Sequence, residues 1–191
     1  MSKTRVLGFD ISSTTIGWCH LEVDNSNKTI EYKKMGYIKP SKVGTIMERI
    51  VKTRDEVVEL IFKINPDEIG IEDLIKFMPK STATTVVVLT TFNRMICLIA
   101  HDFLHKQPEL FNVMSIRHAL KLNKDLPKKE DMPDLVAKHL GITFPYEYDK
   151  KGKVKEVSRD MADGVAVALY HSFMLTEKIT RKVKKPKVKK K

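Results

Sequence analysis

The hydrophobic period of the chain first changes near Val43, from that of strands to that of a helix, and this change limits the folds open to it. Residues 5–10, 15–23 and 28–38 are short apolar or alternating runs that read as three consecutive strands. From Val43 to Ile64 the apolar residues recur at helical spacing with Lys, Arg and Glu between them, which predicts a long amphipathic helix. Asn65-Pro66-Asp67 ends it, and Glu68 to Glu72 (EIGIE) reads as a short buried strand. A largely apolar helix follows from about Thr82 to Lys106, and its apolar faces suggest a central position. Residues 110–116 (LFNVMSI) read as a fifth strand and Lys129 to Leu140 as a helix closed by Gly141. The last helix is expected from Ser158, as its N-cap, to Leu175. Strands first and then strands alternating with helices imply an α/β domain, a mixed five-stranded sheet flanked by helices.

The acids fall at chosen places in this pattern. Asp10 sits at the end of one apolar strand and Glu72 at the end of another, while Asp160 and Asp163 are spaced i, i+3 on one face of the last helix. Adjacent central strands would bring the first two side chains together, and the helix could lay the other pair beside them. At about 5 Å and an effective dielectric near 20, each like-charged carboxylate pair costs roughly 3 kcal/mol, so protons or divalent cations must neutralise the group. Hard oxygen ligands on fixed elements suit Mg²⁺, with Mn²⁺ as a second choice. Two such ions per site are the arrangement for in-line displacement at a phosphodiester, with water as nucleophile. Taken singly, each acid also has a plain structural reading, as a turn cap at Asp10, a strand end at Glu72, or first-turn helix acids at Asp160 and Asp163.

Charge points the same way. Of the formal +11, +8 belongs to residues 177–191, a basic tail with Pro186 and few apolar residues, which leaves a mildly basic body at 1–176. Such a tail cannot offset the entropy of ordering and is expected to be mobile. It could supply salt-sensitive, sequence-independent affinity for a polyanion, although a localisation signal or a solubilising terminus reads identically. Cys19 and Cys97 form no metal-binding cluster and are expected as free thiols. The apolar stretch from Val86 to Leu104 is interrupted by polar residues, and no signal peptide is legible, so a soluble intracellular protein with no membrane association is expected.

Three blocks resemble the RuvC family of Holliday-junction resolvases, within the ribonuclease-H-like superfamily. They are residues 6–18 (VLGFDISSTTIGW), 69–78 (IGIEDLIKFM) and 159–171 (RDMADGVAVALYH), in family order and across nearly the whole body. The resemblance implies a ribonuclease-H-like fold, Asp10, Glu72, Asp160 and Asp163 as metal ligands, and a homodimer that cuts a four-way DNA junction by symmetric nicks in recombination and repair. It further suggests Lys76, Phe77, Arg117, Lys121, Lys128 and Lys129 as DNA contacts and His171 as a proton shuttle. Two features depart from the family: Gly164 stands where a small Ala is usual, and the basic tail lies outside the common core.

Other readings are a nuclease of the same fold acting on RNA–DNA hybrids or flaps, and a non-catalytic nucleic-acid-binding module. LGFDISSTT also resembles the phosphate-binding opening of actin-like ATPases, but those need a second domain and a second phosphate loop. No nucleotide cofactor is therefore expected.

Overall fold

The computed structural model describes residues 3–74 and 82–176. The chain forms β1 (Lys3–Ile11), β2 (Ile16–Asp24), β3 (Thr29–Ile38), α1 (Ile46–Ile64), β4 (Glu68–Glu72) and α2 (Ala83–Leu104). Then come β5 (Glu109–Phe111), α3 (Val113–Leu120), a 3-10 turn at Lys129–Asp131, α4 (Met132–Leu140) and α5 (Glu156–Leu175). The sheet is mixed, in the order β3-β2-β1-β4-β5, with β1, β2 and β3 antiparallel and β4 and β5 parallel to β1. Arg5 fixes the start of the β1–β4 pair: its backbone N–H and guanidinium both donate to Asp67, just before β4.

Alternation along β1 divides the molecule into two layers. Leu7, Phe9 and Ile11 face one side of the sheet and are covered by α1 and α2 through Val57, Ile61, Phe92 and Ile96. The other side is covered by α5, backed by α3 and α4 through Ile116, Leu120, Met132 and Val136. A capping box sets the start of α1: Thr45 Oγ1 accepts from the Glu48 N–H, and Glu48 Oε2 accepts from the Thr45 N–H at 2.7 Å. Val43, the expected first apolar residue of that helix, stands outside it and is 84% exposed.

Three other expectations are corrected. Residues 110–116 are not one strand: β5 stops at Phe111, Asn112 caps α3 by accepting from the Met114 N–H at 2.9 Å, and the remaining apolar residues are helical. Ser158 does not cap α5, which begins at Glu156; its hydroxyl instead accepts from the Glu147 N–H and ties down the preceding loop. The central helix is α5, with fifteen of its twenty residues buried, whereas α2 buries five of twenty-two. By length and composition α2 could cross a membrane, but here Val88, Phe92, Ile96 and Ala100 are buried on the sheet. Its opposite side leaves Val87 and Leu98 more than half exposed.

The seat of α5 depends on glycine. A Cβ on Gly164 would lie 2.5 Å from the carbonyl carbon of Gly17, and one on Gly17 would lie 1.9 Å from the Asp160 carbonyl oxygen. The helix backbone therefore rests directly on β2, closer than any side chain permits. This is a physical reason for Gly164 at the position where the resembled family has Ala. Gly164→Ala is expected to cost about 1–3 kcal/mol through overpacking. Thermal unfolding checks this, since each kcal/mol lowers Tm by about 2–4 °C at this size; an unchanged Tm would show that the contact is not limiting.

Candidate active site

The close seat of α5 delivers its acids to the end of the central strands. Phe9 pairs with Ile71 in the parallel β1–β4 register, so Asp10 and Glu72, one residue further along each strand, stand side by side. Both are opposite in facing to the buried Phe9 and Ile71, and so point toward α5. Asp10, Asp160 and Asp163 each offer a carboxylate oxygen within 4.8 Å of the others, and Asp160 is buried. Glu72 stands beside this trio and lines the same cavity of about 250 Å³, with Asp73, Leu74, Arg117 and Lys129 also on its wall.

Small polar contacts hold the ligand-bearing backbone. The Ser12 hydroxyl accepts from the Thr15 N–H at 2.9 Å and donates to the Thr15 carbonyl at 2.8 Å, which closes the turn after Asp10. Asn93, fully inside α2, donates to the Glu72 carbonyl at 3.2 Å and fixes the end of β4. The Asp73 N–H donates to the Phe111 carbonyl and continues the β4–β5 pairing past the acid. Sequence reading assigned no role to Asn93; an Asn within an apolar helix was the available signal, because a buried amide needs a partner.

The electrostatics follow from this crowding. Burial, and then repulsion from Glu72, Asp163 and Asp160, pushes Asp10 well above the ordinary carboxylate range. Glu72 is raised to about 7 by burial and by the charge of Asp163. Asp163 is raised to about 6, chiefly by burial, with Lys129 and Arg117 opposing the rise. Lys129 donates to Asp160 at 3.0 Å and reaches Glu156 at 2.8 Å. Burial acts to lower the Lys129 pKa, but those hydrogen bonds outweigh it and the net direction is upward. Arg117 Nε is buried without a hydrogen-bond partner among the described residues.

This donor set fits a hard divalent cation: clustered carboxylates on a rigid sheet and helix, with no Cys or His on the cavity's walls among the described residues. An ammonium group already balances one of the acids, which shows that the cluster calls for positive charge.

Of the basic candidates, Arg117 and Lys129 reach the cavity, whereas Lys121 and Lys128 do not line it. Lys121 donates to the Lys124 carbonyl at 3.3 Å. Lys76 and Phe77 lie outside the described residues, as does the basic tail. His171 is placed away from the acids, eight residues or about 12 Å along α5 from Asp163. There its ring meets Phe111 edge-on, with Glu68 at 3.9 Å.

Folding raises the pKa values of Glu72 from 4.5 to about 7 and of Asp163 from 3.8 to about 6. The folded chain then binds more protons than the unfolded chain across that interval, so in chelator its stability falls as pH rises through it. Added Mg²⁺ is expected to reverse the fall. Asp163→Asn is expected to stabilise the metal-free protein at pH 8 by about 1–2 kcal/mol, since a tenfold change in proton affinity is worth about 1.4 kcal/mol. Melting curves at pH 5 and 8 decide this, and a metal-free protein more stable at pH 8 would contradict the assigned crowding.

No family model matches the chain. It is 27% identical over 173 residues to the crossover junction endodeoxyribonuclease RuvC of Nitratiruptor sp., covering 90% of this chain and 97% of that protein. Among solved structures it resembles Thermus thermophilus RuvC in complex with Holliday junction substrate, with a TM-score of 0.67, 19% identity and coverage of 89% and 94% of the two chains. It also resembles the yeast mitochondrial Holliday junction resolvase Ydc2, with a TM-score of 0.62, 15% identity and coverage of 91% and 81%. The fowlpox virus Holliday junction resolvase follows at a TM-score of 0.53, 15% identity and coverage of 88% and 97%. The chain thus shares its fold with these resolvases, and its sequence likeness to a RuvC protein spans at least nine-tenths of both chains.

Proposed function

We propose that the protein is a structure-selective endodeoxyribonuclease that resolves four-way DNA junctions by paired symmetric nicks. The observation that supports this most is the convergence of Asp10, Glu72, Asp160 and Asp163, from β1, β4 and α5, in one cavity rimmed by Arg117 and Lys129. The four carboxylates would hold two Mg²⁺ ions, which when bound supply an activated water and charge stabilisation at the leaving oxygen. The chain's own part is to fix the site. The sheet and the glycine-seated α5 hold the carboxylates, and Arg117, whose Nε has no partner among the described residues, is available to a phosphate oxygen. Lys129 adds a second positive charge on the same wall. Leu74 and Leu89 give the cavity an apolar edge that limits water.

The protein acts as a homodimer in this reading, because two symmetric cuts need two sites. The outer face of α1 and α2 supplies a physical basis, with Met47 and Phe62 on one helix and Val87 and Leu98 on the other between 57% and 69% exposed. The basic tail at 177–191 and the pair Lys76 and Phe77 are assigned to the DNA, the tail by counterion release and Phe77 by stacking on a base. A soluble intracellular location accords with that substrate.

Purified protein is to be incubated with a synthetic four-way junction, linear duplex and an RNA–DNA hybrid, in Mg²⁺ or chelator. Paired nicks confined to the junction and lost in chelator are expected; preferential cutting of the hybrid would overturn the substrate assignment. Asp160→Asn is expected to lower the rate on the order of 10²–10³-fold or more while junction binding persists. Leu98→Lys is expected to give a monomer in sedimentation that nicks one strand at a time. A dimeric Leu98→Lys variant with paired cuts would remove α2 from the interface.

A further inference from the structure

The acid cavity does not end at its carboxylates. Asp160 is shared with a second cavity of about 530 Å³, walled by Thr14, Thr15, Lys39, Lys42 and Lys155. Thr14 and Lys42 are shared in turn with a third of about 260 Å³, which adds Ser13, Arg49 and the α2 threonines Thr82, Thr84 and Thr85. Adjacent through these shared walls, the three mark one path, here called the groove, that leaves the acids on the side of the β1–β2 turn and runs to the first turn of α2. It is assembled from four segments remote in sequence: the turn after Asp10, the β3–α1 connection, the entry to α2 and the entry to α5.

Its polar lining is mostly cationic and hydroxylic after the first step. Past Asp160 and Glu156 the groove offers four cationic side chains and a series of hydroxyls. Glu156, its other acid, is already engaged by Lys129 and Arg159. Arg49 builds the floor: it donates to the Ser13 carbonyl at 3.3 Å and to the Ser41 carbonyl, and so clamps the β1–β2 turn to the β3–α1 connection. Lys39, Lys42 and Lys155 are exposed above that floor. Lys42 has no ion pair among the described residues, Lys39 lies 5.0 Å from the Tyr37 ring, and Lys155 reaches Glu147 at 3.2 Å in a solvent-facing pair of the weak kind. Pro40, Val157 and Val88 add small apolar surfaces, but no aromatic ring lines either cavity among the described residues, and lysines with hydroxyls suit a row of phosphates rather than bases.

We propose that this groove is the track for the sugar–phosphate backbone of the DNA strand on one side of the cut. Lys39, Lys42 and Lys155 contact its successive phosphates, and Thr14, Thr84 and Thr85 donate to their oxygens. The assignment rests on the nuclease reading of the acid cavity, which fixes where the scissile phosphate lies. It adds a direction to it: DNA is held on the β1–β2 turn side by residues that take no part in chemistry.

The test uses the full chain and a synthetic four-way junction. A variant with Lys39→Ala, Lys42→Ala and Lys155→Ala is compared with an equally charged control carrying Lys34→Ala, Lys63→Ala and Lys138→Ala, whose lysines lie off the groove. Affinity is measured in Ca²⁺ across a salt series. The groove variant should lose about 2–3 from the slope of log affinity against log salt, and the control less than 1, at about 0.7–0.9 per lost phosphate contact. Methylphosphonate linkages placed on either side of the cut should slow the wild type from one side only, and the groove variant should be indifferent to them. Equal slopes for the two variants, or no one-sided effect in the wild type, overturn the proposal. Loss of slope in the groove variant without any junction cleavage by the wild type in Mg²⁺ would keep the groove and sink the nuclease reading. A wild type that binds no DNA sinks both.

Discussion

The site depends on how closely α5 lies on the sheet. Gly17 and Gly164 remove the side chains that would otherwise hold the helix away, and the backbone of the helix meets the backbone of β2. Gly8 does the same on β1, where an added Cβ would stand 2.4 Å from the Ala168 nitrogen. A close-packed interior leaves no slack to correct a misplaced helix. With α5 so seated, Asp160 and Asp163 come within metal-ligand reach of Asp10 without any loop having to deliver them.

That placement sets packing against electrostatics. Carboxylates are gathered where burial and mutual repulsion disfavour their charged forms, and the raised pKa values of Asp10, Glu72 and Asp163 express the conflict. Rigid elements enforce the geometry, and Lys129 and Arg117 moderate it. The fold thus carries a local cost that a cation bound there would relieve, as expected where function and stability make opposite demands on the same residues.

Around the acids the surface is segregated by chemistry. Positive and hydroxyl-bearing residues line the groove that leads away from them, while the outer side of α1 and α2 presents exposed apolar residues. A polyanion can approach along the first surface without crossing the second. Fields of this kind guide encounter as well as binding, and they depend on ionic strength.

Much of this was legible in the residues. Glu68–Glu72 is a strand with the bounds the sequence implied, because Pro66 and the acids delimit a run too short for a helix. Asp10 and Glu72 stood out because charge at the end of an apolar run needs a reason, and Asp160 and Asp163 because their spacing puts them on one helix face. Residues 110–116 misled, since a short apolar run has no period of its own and only the Asn112 cap turns it helical. The reading of α2 as central failed because apolar character does not say which of two helices the sheet will cover. Lys39, Lys42 and Lys155 gave no signal, since a solvated lysine in a connection looks the same wherever it stands. The sequence by itself determined most of the strands and helices and singled out the acids that the fold gathers, because periodicity and charge are local properties. Tertiary structure alone decided which helix lies at the centre, that Lys129 faces Asp160, and that four distant segments line one groove, because these depend on distances the linear order does not contain.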